Sequence, residues 1–446
     1  MDLDKFLKSL KGRPLDASIE SLVAKKFHAR GGYGPDQKAL SILSRLLKRR
    51  QISGPEDCAL ATAHILLHVV AKSKWSNVDS LLQRIENVGR KLVLARPQEL
   101  VIGNIVRRVL GLIRDEAEED RGGNNDDSMS DVSNLPGDEP QHATSSMPTS
   151  PRPRLPPRLT TLTSTGSFHV PQSMFNMLQD SPRFAGSSMG TPFGRGSGAS
   201  TPMSHSQVAN ISALRSEVIE GIEELKDEIV SGDEQISSYA EVQIHPGSFV
   251  LVYRPNATVE KFLLAAAKRR KFTVLIAGVG PSRATTTNHQ AAPYASLRKQ
   301  LHKFGVQSIV MAGTGVMAYM PKVNVVVLNS QAVTANGAVL ADGGAAVAAR
   351  AAHEYNKTVI VLGAVYKLCP EDEPDLDVLV DLGNPQSLMS YHGQMVEVDV
   401  SAMSSEYISP ELVDLYISNL GPHCRDHLQG IVGDHYKIED VEFSAQ

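Results

Sequence analysis

Only three cysteines, Cys58, Cys369 and Cys424, occur among the 446 residues, and no two form a CxxC pair. That excludes a disulfide framework and a cysteine-rich zinc module, and fits a cytoplasmic chain with reduced thiols. The amino terminus, MDLDKFLKSLKGRPL, lacks the apolar core of a secretory signal. No run of roughly 18 apolar residues occurs. The nearest approach, CALATAHILLHVVA from Cys58, is interrupted by His64 and His68, so no membrane span is expected.

Several catalytic motifs are also missing. No HExxH orders the fourteen histidines, and His245, His289, His302, His353 and His392 are scattered, so no metal is expected. Without a P-loop ending in Gly-Lys-Ser/Thr a nucleotide hydrolase is disfavoured, and without GxSxG there is no nucleophile elbow. Two glycine-rich loops do follow apolar runs: Gly278-Val279-Gly280-Pro281, and Gly313-Thr314-Gly315-Val316-Met317-Ala318. The second approximates a dinucleotide fingerprint. However, the next apolar run ends in Leu328-Asn329-Ser330, with no acidic residue to hold a ribose, so no cofactor is expected.

The net charge of -4 conceals an asymmetry. Residues 1–114 hold 21 Lys and Arg against 10 Asp and Glu, whereas the remainder is acidic. A basic amino-terminal region ahead of an acidic body fits either an acidic partner or a solvated helical surface.

Periodicity divides the chain. Leu40, Leu43, Leu46 and Leu47 recur at helical spacing ahead of Lys48-Arg49-Arg50, and further helical blocks run near 56–72, 77–90 and 99–118. Residues 1–118 are therefore expected to form an antiparallel helical domain. Residues 119–208 are acidic, then rich in Pro, Ser, Thr and Gly, and read as a disordered insert. The insert carries Ser150-Pro151, Ser181-Pro182, Thr191-Pro192 and Thr201-Pro202, which suit proline-directed phosphorylation, and PRPRLPPR, which suits an SH3-type groove. Leu214, Val218, Ile222, Leu225 and Ile229 then share one face of a connecting helix within 209–241.

From residue 242 to 446, short apolar runs alternate with helical spans: FVLVY, FTVLIAG, SIVMAG, VNVVVLN, TVIVLG and DVLVDL. Such alternation predicts a parallel sheet covered on both faces, an α/β Rossmann-like domain.

Three segments of that region, VNVVVLNSQAVTANGAV, VIVLGAVYKLCP and SPELVDLYISNLG, resemble the regulatory alpha, beta and delta subunits of eukaryotic translation initiation factor 2B. Relatives of that family include methylthioribose-1-phosphate and ribose-1,5-bisphosphate isomerases. The resemblance covers residues 242 to 442 and the general layout of the helical region, and leaves the insert outside.

The resemblance implies a degenerate pocket at Pro255, Asn256, Gly280, Gln331, Asn336 and Gly337. Pro255 stands where the isomerases keep a cysteine, Gly280 where they keep a phosphate-binding arginine, and Gln331 where they keep an aspartate. Moving a proton between adjacent carbons needs a group that can accept and return it, which proline and glutamine cannot do. Asn336-Gly337 is expected to survive as a turn.

The resemblance further implies a non-catalytic subunit of the guanine-nucleotide exchange factor for initiation factor 2. It would pair with a delta-like subunit and assemble with alpha, gamma and epsilon subunits. It would also bind the alpha subunit of initiation factor 2 and sense its phosphorylation, without contact to nucleic acid or membrane. Lys48, Arg49, Arg50, Arg107 and Arg108 are candidates for a phosphorylated partner. Val316, Met317, Tyr319 and Met320, with His289, are candidates for the subunit interface. Two rival readings are a sugar-phosphate isomerase using Cys369 or Asp342, and a homo-oligomeric sensor of sugar phosphates or nucleotides.

Overall fold

The computed structural model describes residues 35–123, 205–278, 294–371, 381–384 and 401–442. Among the described residues four helices come first: α1 (Pro35–Lys48), α2 (Pro55–Lys72), α3 (Val78–Ala95) and α4 (Leu100–Gly123). The turn into α2 needs Gly54, whose φ of 96° suits glycine, and Pro55 then presets the first helical residue. Glu56 and Asp57 follow in the first turn, where carboxylates complement the helix dipole. Cys58, Ala59, Ile65, Leu66 and Val70 of α2 are buried, because this helix is enclosed by its neighbours.

The long helix α5 (His205–Ser238) joins the helices to the sheet. All five residues of the expected apolar face, Leu214, Val218, Ile222, Leu225 and Ile229, are buried, and Ile236 extends the stripe. The helix packs on α2 and α4, and on α7 (Ala257–Ala267) beyond the short α6 (Ala240–Gln243). A single hydrophobic cluster consequently runs from Leu40 through Ile222 to Ile417, so helices and sheet share one core. Each aliphatic side chain fully buried there contributes about 1.5–3 kcal/mol relative to exposure.

The main sheet contains β1 (Phe249–Tyr253), β2 (Thr273–Ala277), β3 (Gln307–Val310), β4 (Val325–Asn329), β7 (Thr358–Leu362), β10 (Leu415–Ser418) and β11 (Gly421–His423). Their order is β11-β10-β7-β4-β1-β2-β3, parallel except for the antiparallel β11. Val250, Val252, Val274 and Ile276 face the helical cluster, whereas Leu251, Leu275 and Ala277 face a second one. Burial on both faces explains why these strands are nearly continuous apolar runs. Connecting helices are α8 (Ala295–Lys303), α9 (Val316–Tyr319) and α10 (Ala345–Glu354), with α11 (Arg425–His435) near the carboxyl end.

A second, four-stranded sheet was not legible beforehand. It consists of β5 (Ala332–Thr334), β6 (Val339–Asp342), β8 (Leu368–Cys369) and β9 (Ser405–Ile408), in the order β8-β5-β6-β9. Strands β5 and β6 form a hairpin around Ala335-Asn336-Gly337, where the φ of 91° at Gly337 completes the turn. Asn336 Oδ1 accepts from Ala338 N at 2.9 Å, the local backbone bond expected of asparagine in a turn. Most of the expected strand DVLVDL falls outside the described residues. Its Leu382 makes an isolated antiparallel bridge to Met403, apart from the parallel sheet. Among the described residues no helix is long and apolar enough to cross a membrane.

Candidate functional site

The carboxyl ends of β1 and β4, together with the residues following β7, open onto a cleft of about 400 Å³. A parallel sheet places its ligand crevice at this end. Its walls combine the start of α2 with Arg96 and Glu99 before α4, Asn256 after β1, Gln331 after β4, Asp342 at the end of β6, and Lys367 after β7. Asp381, Ser404 and Ser405 close another side.

Polar side chains at the floor are fixed by one another. Asn256 caps α7 by accepting from Val259 N at 3.0 Å, and its Nδ2 donates to Asn329 Oδ1 at 2.7 Å. Gln331 Nε2 donates to Asp342 Oδ1 at 2.8 Å. The Ser330 hydroxyl donates to Leu362 O at 2.7 Å, and Ser330 O accepts from the buried Lys367 Nζ at 3.1 Å.

The electrostatics oppose an anionic ligand. Five carboxylates line the cleft, those of Glu56, Asp57, Glu99, Asp342 and Asp381, against the cations Arg96 and Lys367. Arg96 is committed to Glu99 at 3.0 Å. Burial raises the Asp342 carboxyl, opposed by the bond from Gln331, and burial likewise raises Glu99 against Arg96. Glu56 is raised by burial and then by Asp233. Burial depresses the Lys367 ammonium, opposed by Asp233, Glu56 and Asp342.

Of the residues expected to form a pocket, Asn256 and Gln331 meet in this cleft, whereas Pro255, buried just past the end of β1, precedes Asn256 in sequence but is not part of the lining. Gly280 lies outside the described residues. Asn336 and Gly337 are not part of the lining. They sit at the hairpin tip, where Asn336 O accepts from Arg425 Nε at 2.9 Å and Gly337 O accepts from the Tyr416 hydroxyl. Sequence proximity to Gln331 suggested otherwise, but the three intervening residues of β5 carry the turn away from the crevice.

The expected basic surface contracts. Lys48, Arg49 and Arg50 are exposed, with Arg50 ion-paired to Asp381. Arg107 is buried, paired with Glu371 and donating to Val441 O at 2.8 Å. Arg108 makes a two-pronged pair with Glu228 at 2.7 and 3.1 Å. Helical spacing alone could not separate these internal ion pairs from a free cationic face.

The interface candidates divide similarly. Val316 and Met320 are fully buried, whereas Met317 and Tyr319 are 50% and 40% exposed. His289 lies outside the described residues. Cys369 is buried on β8 rather than in the cleft, and desolvation, with Glu371, pushes its thiol up to about 11, the opposite of an activated nucleophile.

Glu56, Asp57, Glu99, Lys367 and Asp381 were absent from the expected site. Lys367 had one signal, a lone cation in the apolar stretch VIVLGAVYKLC. The acidic residues had none, since chain folding alone brings Glu56 and Glu99 to strand ends more than a hundred residues away.

Comparison with known proteins agrees with this architecture. Residues 51–423 match the profile of the initiation factor 2 subunit family. The chain is 31% identical over 416 residues to translation initiation factor eIF2B subunit beta of Schizosaccharomyces pombe, spanning 90% of this chain and 97% of that protein. It is 40% identical to the crystal structure of eIF2B beta from Chaetomium thermophilum, which covers 100% of both chains with a TM-score of 0.64. It is 38% identical to a chain of the tetrameric eIF2B-beta2-delta2 complex from the same organism, over 95% of this chain and 100% of that one, with a TM-score of 0.61. The profile extends from α2 through both sheets, the identity persists over nearly the full length, and the chain belongs to the initiation factor 2 subunit family.

Proposed function

We propose that the chain is a non-catalytic regulatory subunit of the cytoplasmic guanine-nucleotide exchange factor for initiation factor 2. In this reading it scaffolds the complex and reports phosphorylation of the factor's alpha subunit. The observation that carries the non-catalytic part is the cleft: Gln331 is hydrogen-bonded to Asp342, and carboxylates outnumber cations around it. A sugar-phosphate isomerase needs a proton-transferring group and an anchor for the phosphate. Pro255 offers no thiol, and the cleft's charge repels a phosphate.

The chain pairs, in this reading, with a delta-like subunit, because a chain similar over nearly its whole length is seen in a beta2-delta2 tetramer. The exposed Met317 and Tyr319 contribute to that contact, and the alpha, gamma and epsilon subunits complete the assembly. Lys48 and Arg49 receive the acidic or phosphorylated partner, since Arg50 already holds Asp381. Native mass spectrometry of the tagged chain isolated from cells tests the assembly. A complex containing four other kinds of subunit supports the reading, and a homo-oligomer without them removes it. In the isolated complex, Lys48→Glu with Arg49→Glu is expected to weaken binding of phosphorylated initiation factor 2 alpha and to flatten its salt dependence. Unchanged affinity and salt slope remove the sensing role.

A further inference from the structure

Between Glu260 and Asp342 the chain runs for 81 residues, 261–341, with no Asp or Glu and with ten Lys and Arg, although the whole chain carries a net charge of -4. The fold places much of that charge at one edge of the main sheet. Strand β3 is the terminal strand, and among the described residues it pairs only with β2.

The orientation of its backbone follows from one bond. Met311 N donates to Ile276 O at 2.9 Å, so the backbone groups of Gln307, Ile309 and Met311 point to β2. By alternation along the strand, the N–H and C=O groups of Ser308 and Val310 point away from the sheet. A groove of about 520 Å³ runs beside them, lined by Arg298, Lys299 and His302 of α8 and by Gln307, Ser308 and Ile309 of β3. Lys299, His302 and Lys303 are exposed, and Ile309 presents an apolar side chain that is 39% exposed. Lys268, just past the end of the adjoining helix α7, extends the cationic surface, whereas Arg269 beside it is paired with Glu241 at 3.3 Å.

We propose that this edge accepts an extended acidic peptide segment of a partner protein as an added strand. The outward amides and carbonyls of Ser308 and Val310 hydrogen-bond its main chain, Ile309 packs beneath an apolar residue, and the cations of α8 take its carboxylates. Charge complementarity selects this occupant. A second copy of the chain would bring like charge against like charge at the same edge. Single-stranded RNA needs exposed aromatic faces for stacking, whereas Phe272 is buried and Tyr294 and Phe304 are half-buried.

The test uses the full chain and a fluorescein-labelled peptide of alternating Glu and Val, read by fluorescence anisotropy. An alternating Lys and Val peptide, oligouridine of equal length, and the Glu-Val peptide N-methylated throughout serve as comparisons. The Glu-Val peptide is expected to bind, the Lys-Val peptide to show no binding, and N-methylation to weaken binding about tenfold or more by removing main-chain donors. Combined Lys299→Glu, His302→Glu and Lys303→Glu substitutions are expected to abolish binding, and Ser308→Pro to block the outward N–H without breaking the β2 ladder. Equal binding of the N-methylated peptide, tighter binding of oligouridine, or full binding by the charge-reversed protein would each overturn the proposal. The N-methylated probe decides even if Ser308→Pro fails to fold.

Discussion

Gln331 donates to Asp342 across the mouth of the β5–β6 hairpin at 2.8 Å. Gln331→Asp therefore puts two carboxyls in contact and deprives Asp342 of its donor. The expected loss of stability is about 1–3 kcal/mol at pH 8, the usual cost of an unsatisfied buried polar group. Both carboxyls have folded pKa values raised above their unfolded ones, by burial and by each other. The penalty is thus complete at high pH and fades as pH falls toward the unfolded carboxylate range. Thermal unfolding of wild type and variant at several pH values measures it. The variant is also expected to show no isomerase turnover, because Pro255 still supplies no thiol.

Much of this arrangement was legible in sequence, for identifiable reasons. The strands β1, β2, β4 and β7 are buried on both faces, so they read as uninterrupted Val, Leu and Ile, and the stripe from Leu214 to Ile229 had an unambiguous helical period. The hairpin strands β5 and β6 are only three and four residues long, too short for a period to register. The acidic character of the cleft was illegible because Glu56, Glu99 and Asp381 come from separate regions and meet Asp342 only in the folded chain. Arg107 and Lys367 show the converse: a charged residue in an apolar stretch was buried and bonded, where composition suggested solvent.

His64 sits buried on α2, and burial, reinforced by Lys226, lowers its pKa to about 4. The unfolded chain takes up a proton near pH 6.5 while the folded chain stays neutral. Stability from this group is therefore intact above pH 6.5 and is lost as pH falls toward 4. Linkage gives a loss of about 2 kcal/mol between pH 7.5 and 5. His64→Gln is expected to remove that part of the acid sensitivity, whatever its effect at neutral pH. Urea unfolding at the two pH values checks the difference.

At the start of α10, Gly344 has a φ of 98°, and a Cβ there would collide with the Tyr253 hydroxyl oxygen. Gly344→Ala meets both a left-handed backbone and a buried aromatic ring. A cost of about 2–4 kcal/mol is expected, from adding the strain of the backbone to that of overpacking. Because Tyr253 is the obstacle, Tyr253→Leu should recover part of the loss in the double variant, while leaving the backbone component. A thermal-shift comparison of the single and double variants separates the two. Equal losses in both would show that the ring was not the obstruction.

Met317 and Met320 lie one turn apart, yet one is half exposed and the other fully buried. Met320→Ala is expected to cost about 2–5 kcal/mol of stability through a cavity in the core. Met317→Glu, together with Tyr319→Glu, adds only solvated charge to the free chain, so its melting temperature should change little. If these two side chains meet a delta-like subunit, the paired substitution desolvates carboxylates in the contact and should weaken pairing about a hundredfold or more. Co-expression with that subunit, followed by mass photometry across a dilution series, reads the pairing directly. A doubly substituted chain that melts normally and still pairs at wild-type concentrations would move the contact away from α9.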